Sequence, residues 1–291
     1  MTLLTALLLE WGIGDPQSRY HPVALFGRWA SWCESFLYAD QRRRGLITWL
    51  FVITIPLSLL WTGHKLIGWP FDVLLLWASI GWKSLFQHVR AVLAAATEKD
   101  ARLAVSKIVS RDTEHMSQQD TRSAALESLA ENASDAIVAP LFWFLLLGPI
   151  GAACYRMVNT LDAMWGYRNQ RYLSFGWCPA KVDDIANWIP ARLTARLMLW
   201  AGKPAKWADI KQQAETHASP NAGWPEVALA YAADVRLGGP VLRGGIEDPR
   251  PFYGPEHGSG TDDIVAFEAL SIVQNSLLLA AALTLGVTLV F

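Results

Sequence analysis

Four stretches of this chain carry almost no charge, and they limit what it can fold into. Leu46 to Trp61 has no charged residue, Phe71 to Trp82 has only Asp72, Ile137 to Val158 has only Arg156, and Leu277 to Phe291 has none. A helix that crosses a bilayer needs about 20 mainly apolar residues. The first three stretches approach that length once flanking turns are added, and the last falls slightly short. Buried core helices are the alternative, but a soluble protein rarely carries four such stretches. The expectation is an all-α, multi-pass helical membrane protein. It forms one integral-membrane domain over 1–291, with segments at about 46–62, 70–90, 137–158 and 272–291. Thr2 to Leu9 is too short to span and lacks the positive flank of a secretory signal. It reads as an interfacial or tilted helix extended through Trp11.

Charge and cysteine usage exclude several classes. Lysine plus arginine total 25 against 26 acids, a net charge of -1, so binding nucleic acid by bulk positive charge is excluded. Cys33, Cys154 and Cys178 are too few and too scattered for a disulfide framework or a cysteine zinc site. Fifteen tryptophans supply ring area for a membrane interface or a large flat ligand. No phosphate-loop, dinucleotide, nucleophile-elbow or H-E-x-x-H motif is present.

Polar regions lie between the apolar stretches, at about 10–30, 91–135 and 156–271, and chemistry is expected there. In GDPQSRYHPVALFGR (14–28) the glycine and prolines force turns, which places Asp15, Arg19, His21 and Arg28 on a loop and a helix start. A membrane-interface turn with snorkelling arginines is the plain alternative. Ser117 and Asp120 have capping-box spacing. The helix that follows carries Glu127, Glu131 and Asp135 on one face, with Asn132 adjacent. Like charges on one stripe repel unless a cation sits among them, which favours a divalent-cation or substrate-amine site over a solvated acidic face. Arg156, Asn159 and Asp162 share a helix face, Gly166 ends the pattern, and Arg168 and Arg171 follow. Asp183, Asp184 and Asn187 lie just before Pro190. Such an acid pair suits Mg²⁺, or an acidic helix start favoured by the dipole. Arg192 can grip a phosphate bidentately. Asn221 can cap a helix whose first turn holds Pro225 and Glu226. The glycine- and proline-rich segment 237–263 reads as a loop.

Taken together, GDPQSRYHPVALFGR, SKIVSRDT, ESLAENASDAIVAPLFW, YRMVNTLDAMWGYRNQRY, DDIANWIPARLTA and SPNAGWPEVALA resemble the adenosylcobinamide-phosphate synthase family of cobalamin biosynthesis, the CobD/CbiB type. They fall in order across about residues 10–240, and the loop after Leu237 matches least. The resemblance implies a multi-pass protein of the bacterial inner membrane whose active site faces the cytoplasm. It implies an ATP-dependent ligase that joins the free propionate of adenosylcobyric acid to (R)-1-aminopropan-2-ol O-phosphate, or to the free amino alcohol, giving adenosylcobinamide phosphate. ATP and Mg²⁺ are then required, and the corrinoid is substrate rather than cofactor. Other late membrane enzymes of cobalamin assembly are plausible neighbours, nucleic acid is not a partner, and an oligomer is left open.

On this resemblance Asp183, Asp184, Glu131 and His21 are the catalytic candidates, with His21 as a base or corrin contact. Asp183, Asp184, Glu127, Glu131 and Asp135 are the candidate metal ligands. Substrate or phosphate contacts are expected from Asp15, Arg28, Arg111, Asp112, Asn132, Asn159, Asp162, Arg168, Asn187, Arg192, Ser219 and Asn221. Two rivals differ in class. An intramembrane Mg²⁺-dependent diphosphate transferase of prenyltransferase type wants a second acid where Gly166 stands, and the CDP-alcohol pattern D-G-x-x-A-R is missing. A non-enzymatic membrane sensor or transporter would be expected to lose these acids.

Arg42, Arg43 and Arg44 place the segment before Leu46 in the cytoplasm. A simple span at 137–158 would send residues 159–271, with most of the 12 basic residues that lie between Arg156 and Ser271, to the other side. Gly148-Pro149 permits a re-entrant hairpin instead. Both polar regions are then expected to face the cytoplasm and share one site.

Overall fold

The computed structural model describes residues 1–14 and 20–290, so Asp15 and Arg19 lie outside the described residues. The helices in chain order are α1 Thr2–Gly12, α2 Pro22–Leu37, α3 Arg42–Ile67, α4 Trp69–Ser79, α5 Trp82–Leu93, α6 Glu98–Val105 and α7 Gln118–Ala133. A π-helical turn, Ser134–Val138, leads into α8 Ala139–Trp165. Then come α9 Trp177–Ala186, α10 Trp188–Ala201, α11 Trp207–Ala214, α12 Gly223–Ala232 and α13 Asp263–Val290. The protein is an all-α membrane protein. Among the described residues three helices are long and apolar enough to cross a bilayer: Arg42–Ile67, the continuous run Gln118–Trp165, and Asp263–Val290. The apolar stretch predicted at 70–90 forms two short helices, α4 and α5, parted at Ile80–Gly81.

The chain divides into two compact units. One comprises Met1–Trp82, Ala139–Asn187 and Thr284–Phe291; the other comprises Lys83–Val138 and Trp188–Leu283. In the first unit Phe26, Cys33, Val52, Leu161, Trp165 and Phe175 form a buried core. Gly45 lets α3 pass directly over the Phe175 carbonyl, where a Cβ would collide. Glu34 is buried there and its carboxylate is fully used. It accepts from Trp165 Nε1 at 2.9 Å, Tyr172 OH at 2.9 Å and Arg171 Nη2 at 2.8 Å, which fastens the turn after α8 onto α2.

Helix α8 is broken at Gly148, which has φ 67° and ψ -164°. A Cβ on Gly151 would lie 2.5 Å from the Trp143 carbonyl oxygen, whereas eight residues of straight helix would separate these positions by about 12 Å. The chain therefore turns back sharply there. Only glycine takes that φ without strain, and Pro149 offers no N–H to bridge the break.

In the second unit α7 and α12 are buried on nearly every side, as expected of central helices. Ser117 and Asp120 form the predicted capping box at the start of α7. The segment after Leu237 is more ordered than a loop. Leu237–Gly238 pairs with Phe252–Tyr253, and Val241–Arg243 pairs with Ile246–Asp248, both antiparallel. Runs of two and three residues are too short to show alternation in a sequence. Positive φ at Gly244 (59°) and Gly245 (75°) makes the inner hairpin turn.

Candidate active site

A dense polar site lies wholly in the second unit and is centred on Glu127, which is 2% exposed. Arg111 Nη2 lies 2.6 Å from Glu127 Oε2, and Arg250 Nη1 lies 3.2 Å from the same oxygen. Its other oxygen accepts from Gly238 N at 3.1 Å and Ser123 Oγ at 3.2 Å. A buried carboxylate without such partners would be strongly unfavourable. The cations that offset Glu127 are thus two guanidinium groups, so this one carboxylate of the α7 face is neither solvated nor in need of a metal to offset its charge.

Arg250 also reaches Glu226 Oε2 at 3.4 Å and His217 Nε2 at 3.3 Å. Burial first, then the nearby Glu127 and Glu131 charges, raises Glu226 well above the usual carboxylate range. Burial and then Arg250 push His217 below its ordinary value. Ser219 N donates to His217 Nδ1 at 2.9 Å, which leaves Nε2 turned toward Glu226 Oε1 at 3.7 Å.

A cavity of about 190 Å³ adjoins Glu127. Its walls include Arg111, Asp112, His115, Asp120 and Ser123, closed on one side by Gly238 and the first strand of the inner hairpin. Asp112 holds that hairpin in place. Its N–H donates to Leu242 O at 2.9 Å and its Oδ2 accepts from Gly245 N at 2.7 Å. The walls present both cations and carboxylates, a pairing suited to a small zwitterion.

The other predicted residues are distributed as follows. Glu131 is half-buried one turn after Glu127, within electrostatic reach of Arg250 and Arg111. Asn132 Nδ2 donates to Ser128 O at 2.9 Å, and Asp135 falls in the π-helical turn. Arg192 Nη1 approaches Asn221 Oδ1 at 3.4 Å, and its guanidinium lies between the rings of Trp188 and Trp224, 4.1 and 4.4 Å from their centroids. Asn221 does not cap α12. The cap position is Ala222, which offers no side-chain acceptor, and Ser219 Oγ accepts from the N–H groups of Asn221 and Ala222 instead.

A second polar cluster belongs to the first unit. Asn159 Nδ2 donates to Asp183 Oδ1 at 3.3 Å, and Arg156 Nη1 donates to Asn159 Oδ1 at 3.3 Å. Asp183 and Asn187 are buried. Asp184 points elsewhere, to Lys181 Nζ at 3.2 Å, because neighbours on a helix project about 100° apart. The two acids thus do not converge. Asp162 accepts from Gly166 N through its backbone carbonyl, and Arg168 and, on α2, Arg28 are both exposed. His21 caps α2, with Nδ1 accepting from Val23 N at 3.3 Å. Among the described residues, no group of three or more His, Cys, Asp or Glu side chains is placed to hold a metal ion.

Comparison with known proteins decides the family. The family profile described as "CobD/Cbib protein" matches residues 3–270. The chain belongs to the CobD/CbiB family. Relatives named "Cobalamin biosynthesis protein CobD" are similar along almost the whole length. That of Chromobacterium violaceum is 41% identical over 297 aligned positions, covering 97% of this chain and 94% of the relative. That of Brucella anthropi is 38% identical over 322, covering 99% and 96%. That of Rhodobacter capsulatus is 40% identical over 280, covering 86% and 88%. No solved structure matches the chain.

Sequence reasoning about this CobD/CbiB chain missed Arg250, His217 and Glu226 as members of the central cluster. Arg250 had one available signal, a lone cation between Pro249 and Pro251 in an otherwise glycine-rich segment. Prolines on either side limit where the side chain can be carried.

Proposed function

We propose that this CobD/CbiB protein is an inner-membrane ligase of cobalamin biosynthesis that joins (R)-1-aminopropan-2-ol O-phosphate to the propionate of adenosylcobyric acid at the expense of ATP. The observation that carries this reading is the cavity beside Glu127, whose walls offer both signs of charge. Arg111 and His115 suit a phosphate, and Asp112 and Asp120 suit an ammonium. Family membership supports a role in cobalamin biosynthesis, and the ligation is the reaction that the motif resemblance implies.

The chemistry follows from the substrates. A carboxylate is a poor electrophile. Transfer of the terminal phosphoryl group of ATP to the propionate gives an acyl phosphate and ADP. The amine then attacks the acyl carbon, the C–O bond to phosphate breaks, and inorganic phosphate leaves as the amide forms. The amine must first lose a proton, and the wall carboxylates Asp112 and Asp120 are the proposed acceptors. Fixed guanidinium groups offset charge that develops on phosphate oxygens. Magnesium supplies charge neutralisation on the nucleotide. Among the described residues there is no all-protein cage for it. An ion of this kind would be held by one or two carboxylates together with phosphate oxygens and water, and Asp183, beside Asn159 in the first unit, is proposed as one of those carboxylates.

The polar regions 91–135 and 156–271 are proposed to face the cytoplasm, with the reversal at Gly148 in the membrane. Isothermal titration tests the cavity assignment. The amino-alcohol phosphate should bind more tightly than the free amino alcohol. His115→Ala and Arg111→Lys should reduce that preference by about tenfold each, which corresponds to ~1.4 kcal/mol. An unchanged preference in both variants would remove the cavity from substrate recognition.

A further inference from the structure

Helix α10 presents a face that the ligase reading does not use. Trp188, Ile189, Leu193, Arg196 and Trp200 fall within about 140° of one another around the helix, and all five are exposed, Trp188 at 52% and Trp200 at 69%. The opposite arc, with Ala191, Thr194, Ala195, Leu197 and Met198, is buried. The open arc holds tryptophan, aliphatic residues and arginine, with no acid and no uncharged polar side chain. On a surface bathed in water such an arc would be an unexplained apolar patch.

Length and charge decide what can cover it. Fourteen residues make about 21 Å of helix, too short for a hydrocarbon core of about 30 Å. An arginine in the middle of the open arc also opposes burial among acyl chains. Tryptophan and arginine beside aliphatic side chains are instead the composition of a helix lying in the plane of the headgroups. Arg196 makes no ion pair among the described residues; its guanidinium lies over Trp207, 4.6 Å from the ring centroid. Lys206, just beyond the helix, is exposed. The charge complement is therefore anionic.

The fold also brings α10 to the right depth. A Cβ on Gly202, the residue after α10, would lie 3.0 Å from Ile272 Cδ1 on α13. Beyond Glu268, α13 carries no charged residue as far as Val290, so Ile272 stands at the start of this uncharged stretch, little more than one turn before the apolar run that begins at Leu277. We propose that α10 is an interfacial helix. Trp188, Ile189, Leu193 and Trp200 rest at the boundary between headgroups and acyl chains, and Arg196 meets the phosphates of anionic lipids.

The full chain can be tested in vesicles of phosphatidylcholine with and without phosphatidylglycerol. Nitroxide labels are placed one at a time on cysteines introduced at Ile189, Leu193 and Trp200, with Cys33, Cys154 and Cys178 replaced. Gln212 on α11 serves as the aqueous control. The labels on α10 should be accessible to oxygen and shielded from a water-soluble nickel chelate, at depths of roughly 5–10 Å. Phosphatidylglycerol should draw them deeper, and Arg196→Gln should abolish that response. As a check without labels, brominated lipid should quench less fluorescence in Trp200→Phe than in the unaltered protein. Nickel accessibility equal to that of Gln212 would overturn the proposal. So would shielding from both reagents with spin–spin broadening, because a second copy of the chain would then cover the face.

Discussion

Arg250 lies 3.2 Å from Glu127 although 123 residues separate them. The contact ties the strand-bearing segment after Leu237 to the middle of α7. Both side chains are largely buried, so removing the cation leaves a carboxylate short of a partner. Breaking a buried pair typically costs about 3–5 kcal/mol, and Arg111 still faces Glu127, so Arg250→Ala should fall at the lower end. Denaturation in detergent checks this, and unaltered stability would show that Arg111 alone satisfies Glu127.

The pH dependence of stability should carry the mark of Glu226. Its pKa in the fold is raised above the unfolded value, so the folded state holds a proton that the unfolded chain has lost. Stability from this group is full below the ordinary carboxylate value and declines as pH rises toward the raised one. His217, lowered in the fold, acts on the acid side, where stability is lost as pH falls below its ordinary value. Glu226→Gln should therefore keep the fold and flatten the alkaline limb of a plot of melting temperature against pH. An alkaline limb as steep as before would assign that slope to another group.

Asp183 and Asp184 should separate in a mutational test. Asp183 is buried against Asn159, whereas Asp184 is turned to Lys181. Asp183→Asn should lower turnover by about 10²-fold or more, the scale of losing one well-placed electrostatic group. Asp184→Asn should lower it far less. Equal losses from the two variants, measured at saturating ATP and magnesium, would contradict the assignment.

Much of the architecture was legible in the sequence because bilayer-length apolar runs and cap signals are local. The membrane class, the capping box at Ser117 and Asp120, and the break at Gly148-Pro149 all rest on neighbours within a few residues. The central cluster was not legible in the same way. Glu127 was visible as an acid on a helix face, but its partners Arg250 and Gly238 come from a distant segment. Nothing local distinguishes a stripe awaiting a cation from one already holding two arginines. The pairing of Asn159 with Asp183 was likewise hidden, although each residue stood out in its own motif. The adjacency of Asp183 and Asp184 suggested a pair, and helical geometry turned them apart.

Membrane topology can be read with two cysteines in a background lacking the native three. Cysteines introduced at Gln118 and Gln212 should both resist an impermeant maleimide in intact cells and react after lysis. Labelling of the Gln212 position alone in intact cells would place the region after α8 outside and refute the reversal at Gly148 as a membrane hairpin.

The central claim is the reaction itself, and one measurement addresses it directly. Detergent-purified protein is mixed with adenosylcobyric acid, ATP, magnesium and either (R)-1-aminopropan-2-ol O-phosphate or the free amino alcohol, and the corrinoids are resolved by mass spectrometry. The account predicts adenosylcobinamide phosphate from the phosphorylated amine, formed only with ATP and in step with ADP and inorganic phosphate. No amide product from either amine, or product formed equally well without nucleotide, would contradict it.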